Sequence, residues 1–126
     1  MSRRETPLIH EYWHQIGGTL IEEFQVVKRS TSNGPRYVDA IIIPNGESKI
    51  AKAGEVSLEG KDIICIQAKH GRLGMYVMGQ TFFSERLLQK FKPRTIVSVA
   101  LCTEDDSTLR PLLESYPSMK VVIIKA

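Results

Sequence analysis

Thr95 to Leu101 is an almost unbroken apolar run. A strand of that composition has to be covered on both faces, which commits the chain to a layered α/β fold with this strand inside the sheet. Three upstream stretches also predict strands: Thr19 to Val27, rich in β-branched and apolar residues; Tyr37 to Ile43, stopped by Pro44-Asn45-Gly46; and about Asp62 to Lys69. A last strand is expected over Val121 to Ile124.

The segments between them carry helix signals. Thr6 as cap with Pro7 at the first helical position opens a helix in which Leu8, Ile9, Tyr12, Trp13 and Ile16 follow helical spacing, until Gly17-Gly18 stops it. Met75 to Phe91 has an apolar stripe through Met75, Met78, Phe82, Leu87, Leu88 and Phe91, ended by Pro93. Asp105, Asp106 and Ser107 ahead of Leu109, Leu112 and Leu113 mark the start of a short third helix. Residues 28–36 form a polar, basic loop, and 47–61, interrupted by Gly54 and Gly60, predicts a loop with a short strand or helical turn. The order is α-β-β-β-α-β-α-β, an antiparallel meander followed by a crossover helix that sets the fourth strand parallel to the third by a right-handed connection.

With 126 residues, 42% of them apolar, and no internal repeat, a single domain is expected. Seventeen Lys and Arg against fourteen Asp and Glu leave a net charge of +3, which permits a nucleic-acid partner without requiring one. Cys65 and Cys102 sit in apolar runs with no CxxC pattern, so they read as buried thiols in a reducing compartment rather than zinc ligands or a disulfide. No apolar stretch approaches the roughly 18 residues of a membrane span. The N-terminus, Met1 to Glu5, lacks an apolar signal region. A cytoplasmic protein without a membrane partner is expected.

Two places suggest chemistry: Asp39 near the start of the second strand, and Gln67-Ala68-Lys69 at the end of the third. Alternate residues of a strand share a face, so Gln67 and Lys69 project together. If the two strands pair antiparallel, the Asp39 carboxylate lands beside them. One carboxylate, one amide oxygen and the Ala68 carbonyl then offer a hard-cation site with open positions for water and phosphate. Lys69 beside it would stabilise charge on a phosphorane or orient the attacking water. The plainer reading makes Lys69 the point where the strand meets solvent and Gln67 an edge amide.

Asp39 and Gln67-Ala68-Lys69, on the second and third strands of an α-β-β-β-α-β order, resemble the PD-(D/E)XK nuclease superfamily over nearly the whole chain. That resemblance implies a three-layer, restriction-endonuclease-like α/β core with a mixed central sheet. It also implies magnesium-dependent hydrolysis of DNA phosphodiesters, with manganese able to substitute. Asp39, Gln67 and the Ala68 carbonyl would bind metal, Lys69 would assist the water or the transition state, and Glu11 of the first helix would complete the shell, with Glu23 as the competing third acid. The chain departs from the family pattern at Val38, where proline is usual, and at Gln67, where a carboxylate is usual, although glutamine occurs there in several branches. Gln80 matches a supporting helix glutamine, but position 84 is Ser where some branches have Tyr. Lys28, Arg29 and Arg36 before Asp39, and His70 and Arg72 after Lys69, ring the site as candidate phosphate contacts. DNA is the expected substrate, with RNA open, and a homodimer is expected because so small a chain covers little of a duplex.

Two alternatives stand beside the nuclease. One is a nuclease fold that only binds nucleic acid or a protein. The other is a small zinc hydrolase built on His10, Glu11 and His14, which fit HExxH in a helix that ends early and has no third ligand downstream.

Overall fold

The computed structural model describes residues 3–125. Along the chain it contains α1 (Thr6–Ile16), β1 (Thr19–Val27), β2 (Arg36–Ile43), β3 (Lys49–Ala51), a 3-10 turn (Ala53–Glu55), β4 (Asp62–Arg72), α2 (Met75–Leu88), a second 3-10 turn (Gln89–Phe91), β5 (Thr95–Glu104), α3 (Leu109–Glu114) and β6 (Met119–Ile123). The strands form one mixed sheet in the order β3-β1-β2-β4-β5-β6. β1, β2 and β4 are the antiparallel meander, β5 runs parallel to β4 across the α2 crossover, and β6 and β3 add parallel edges.

Strand alternation divides the core between the two faces of this sheet. On one face Leu8, Ile9 and Tyr12 of α1 pack on Leu20, Ile42, Ile66 and Leu101. On the other, Leu88 of α2 meets Ile41, Ile63 and Cys65, while Val77 of α2 and Leu113 of α3 cover Ala100, Cys102 and Val121. The result is three layers, with α1 opposite α2 and α3. Each fully buried Ile or Leu side chain contributes about 1.5–3 kcal/mol to this packing. β5 lies inside the sheet as its apolar run requires, but double-sided burial begins only at Ser98, and Val97 is 38% exposed. Among the described residues no helix is long and apolar enough to cross a membrane.

Several boundaries shift for physical reasons. Glu5 occupies the cap position of α1 and Thr6 is already helical, which Pro7 tolerates because the first-turn amides have no intrahelical partner in any case. At the other end the Gly17 N–H closes the helix on the Trp13 carbonyl at 2.7 Å. Gly18 follows with φ +81, where a Cβ would fall 2.2 Å from the Ile43 carbonyl oxygen, so only glycine lets the chain turn into β1 this close to the end of β2. Residues 47–61 hold both a short strand and a 3-10 turn. At the start of α3 the Asp106 carboxylate accepts the Thr108 and Leu109 amides at 3.0 and 2.9 Å.

The largest correction concerns α2. Its buried face is Val77, Thr81, Ser84 and Leu88, while Met75 of the expected stripe is 76% exposed and Met78, Phe82 and Leu87 flank the core. Hydroxyls can turn inward because each is satisfied: Thr81 donates to the Val77 carbonyl at 2.7 Å, Ser98 of β5 donates to the Thr81 carbonyl at 2.7 Å, and Ser84 accepts from Gln67.

Candidate active site

The site forms where the meander loses its regular pleat. In β1, Leu20 faces α1 and Ile21 faces α2, but Phe24 and Val26 also join the α2 side, so alternation inverts at Glu23. Glu23 has φ +50, a left-handed conformation costly for a residue with a Cβ. β2 inverts opposite it: Ile41 and Ile43 face α2, Ala40 and Ile42 face α1, and then Val38 is again on the α2 side. Asp39 therefore lies at a paired break in the pleat, a device that re-aims side chains. The β2–β4 register runs only to Ala40 opposite Ile66. Just past that point one Asp39 oxygen, Oδ2, accepts the Ala68 N–H at 2.8 Å. The carboxylate stands in for a backbone carbonyl as the two strands part, and it touches the middle residue of the Gln-Ala-Lys triplet.

Burial pushes the Asp39 carboxyl above its ordinary range, against the opposing Ala68 hydrogen bond, and the negative charges of Glu5 and Glu23 push it further up. Glu5, just before α1, also accepts the His70 N–H at 3.3 Å. Acids from the start of α1, the irregularity in β1 and the start of β2 thus act on one another around the triplet. Such a field favours a cation, and the oxygen donors suit a hard one. Gln67 is 4% exposed and its Nε2 donates to Ser84 Oγ at 2.8 Å. Lys69 is exposed at the solvent end of β4, opposite Cys102 in the β4–β5 ladder. Among the described residues no three His, Cys, Asp or Glu side chains converge to hold a metal. A cation here would need Gln67 Oε1 or the Ala68 carbonyl beside the second Asp39 oxygen.

The structure bonds Asp39 to the middle residue of the Gln67-Ala68-Lys69 triplet and distributes the remaining candidates. Glu11 is exposed on α1 and lines a separate groove with Arg4, His70 and Lys125, whereas Glu23 and Glu5 act on Asp39. Glu5 carries no sequence signal, since it lies 65 residues from the backbone it contacts. Ser84, visible in the sequence only as the place where a tyrosine is missing, is the residue that orients Gln67. Gln80 is exposed on α2 and lines a groove beside Gln67. Of the basic residues, Lys28 and Arg29 are exposed in the β1–β2 loop and Arg36 opens onto that same groove. Arg4 donates to His70 Nδ1 at 2.8 Å, and Arg72 donates to the Asp105 carbonyl at 3.1 Å while pairing with Glu104.

His10 Nε2 lies 3.3 Å from the Glu22 carboxylate, while the exposed His14 ring sits 5.5 Å from Trp13. Both cysteines are free and buried, and burial pushes Cys65 up to about 12 and Cys102 up to about 11. The chain has no significant match to any family model, curated protein or solved structure.

Proposed function

We propose that the chain is a metal-dependent nuclease with a restriction-endonuclease-like, PD-(D/E)XK-type fold, hydrolysing DNA phosphodiester bonds at Asp39, Gln67 and Lys69. The observation that carries this reading is the Asp39 carboxylate bonded at 2.8 Å to the amide of Ala68, the residue between Gln67 and Lys69 in the chain. Apart from the short edge strand β3, the elements around it follow the α-β-β-β-α-β order of the resemblance.

Asp39 is held by one oxygen, so its other oxygen can face a magnesium or manganese ion. Gln67 Oε1, fixed through Ser84, and the Ala68 carbonyl are the neutral ligands. Glu5 and Glu23 supply negative charge that offsets the missing carboxylate at position 67. When bound, the cation supplies Lewis-acid activation of water and neutralises phosphate charge. Lys69 presents its ammonium to a non-bridging phosphate oxygen or to the water, where positive charge stabilises the developing phosphorane. Arg36, Lys28 and Arg29 hold flanking phosphates without reading sequence. A homodimer belongs to this reading on grounds of size.

The binding-only alternative is favoured by one observation, that no three metal-ligating acids, histidines or cysteines converge among the described residues. Cleavage of duplex, single-stranded, flapped and branched DNA, and of RNA, with magnesium or manganese decides between them. The expected result is metal-dependent cleavage of at least one substrate that disappears in Asp39→Asn and Lys69→Ala. No cleavage of any substrate with either metal would remove the enzyme reading.

A further inference from the structure

A groove of about 710 Å3 runs between α2 and the beginning of β2. Its inner surface includes the buried Gln67 and Ser84, and its sides carry three large exposed rings: Tyr37 at 55%, Tyr76 at 78% and Phe83 at 61% exposure. Arg36 and Arg86 also line it, and none of its lining residues is acidic. Arg86 stacks over Phe82, 3.8 Å from the ring centre, and pairs with Glu85 at 3.9 Å, whereas Arg36 is exposed. Gln25 donates to the Tyr37 hydroxyl at 3.4 Å, which helps to hold that ring.

Exposed aromatic rings in a concavity lined by Arg36 and by no acidic side chain complement a polyanion that carries flat, unstacked faces. We propose that this groove binds single-stranded nucleic acid, with unpaired bases stacked on Tyr37, Tyr76 and Phe83 and a phosphate held by Arg36. Duplex bases are stacked on each other and cannot reach these rings, so the selection is for unpaired segments. The groove continues into the site, because Gln67 lines it and Tyr37 precedes Asp39 by two residues, about 7 Å along a strand. A base on Tyr37 thus sets the neighbouring backbone near Asp39. That consequence for substrate choice rests on the nuclease reading, while the binding itself does not.

The test is fluorescence anisotropy of the full chain in EDTA. The probes are end-labelled mixed-sequence oligodeoxynucleotide and oligoribonucleotide single strands, and the DNA strand annealed to its complement. Either single strand should bind at least about tenfold more tightly than the duplex, the two arms showing which sugar is preferred. Tyr37→Ala, Tyr76→Ala and Phe83→Ala should each weaken single-strand binding by about 5- to 150-fold, as expected for a lost base–aromatic stack. Tyr76→Trp should retain binding, and circular dichroism checks that each variant is folded. Duplex binding as tight as single-strand binding would overturn the proposal, as would folded alanine variants that bind like the wild type. It also falls if the chain is dimeric and Tyr76→Ala or Phe83→Ala makes it monomeric, since the groove would then be a protein interface. Because binding is read without metal, selective single-strand binding without cleavage leaves the groove standing and removes the nuclease alone. Metal-dependent cleavage, together with folded alanine variants that bind single strands like the wild type, does the reverse.

Discussion

Asp39 is a carboxyl whose burial weighs against the fold. Its carboxyl titrates above the ordinary range because burial disfavours the charged form. The folded state therefore binds the proton more readily than the unfolded chain, and stability from this residue rises as pH falls through the folded value towards the unfolded one. At neutral pH its ionisation is a net cost. Asp39→Asn keeps an oxygen to accept the Ala68 amide and removes the charge, so thermal unfolding should show stability unchanged or raised by about 0.5–2 kcal/mol. A clear loss of stability would mean that the charged hydrogen bond outweighs burial. Gln67 poses the complementary case, since its amide is bonded into α2 and brings no charge into a buried position.

Among the elements, β1 holds the most informative irregularity. Glu23 sits at φ +50 in the middle of a strand. Left-handed backbone costs a residue with a Cβ about 1–2 kcal/mol. Glu23→Gly should therefore be neutral or stabilising by up to about 1 kcal/mol in chemical denaturation, whereas glycine in a regular strand position costs about 0.5–1 kcal/mol. A loss at position 23 as large as that of Glu22→Gly would show the conformation is unstrained. The bounds of β1 were legible in the sequence because β-branched residues fill it between glycines and a basic loop, yet nothing in those letters announces the inversion at Glu23. α2 was legible as a helix but not in its orientation. Apolar spacing points to Met75 and Phe82, and only the partners on β4 and β5 explain why Thr81 and Ser84 turn inward. Asp39 and the Gln-Ala-Lys triplet could be paired from the strand order, whereas Glu5 could not, because its contact spans 65 residues and depends on where α1 begins.

For the molecule as a whole, the parallel pair β4–β5 is pinned at its start by Asp62, which accepts from both Arg94 and Thr95. Those bonds, with Arg94 first among them, hold the Asp62 carboxyl down to about 2. A folded value below the unfolded one means that this cluster stabilises the protein above the unfolded value of about 3.9 and that the contribution disappears as pH falls through about 2. Stability measured by denaturant titration should therefore fall between about pH 4 and pH 2, and Asp62→Asn should flatten that acid limb. An unchanged limb in the variant would place the acid sensitivity elsewhere.

The two free, buried thiols make the chain its own clock. Cys65, under α2, and Cys102, under α2 and α3, are 0% exposed, and their thiols titrate near 12 and 11. At neutral pH a thiol reagent can mark them only during excursions that lift those helices off the sheet. Labelling followed by mass spectrometry should accordingly trap singly or doubly tagged molecules at the frequency of opening. If Cys102 is tagged well before Cys65, the β5–β6 end of the sheet opens without the rest. Equal rates would mean that the helix layer over both cysteines leaves as one unit.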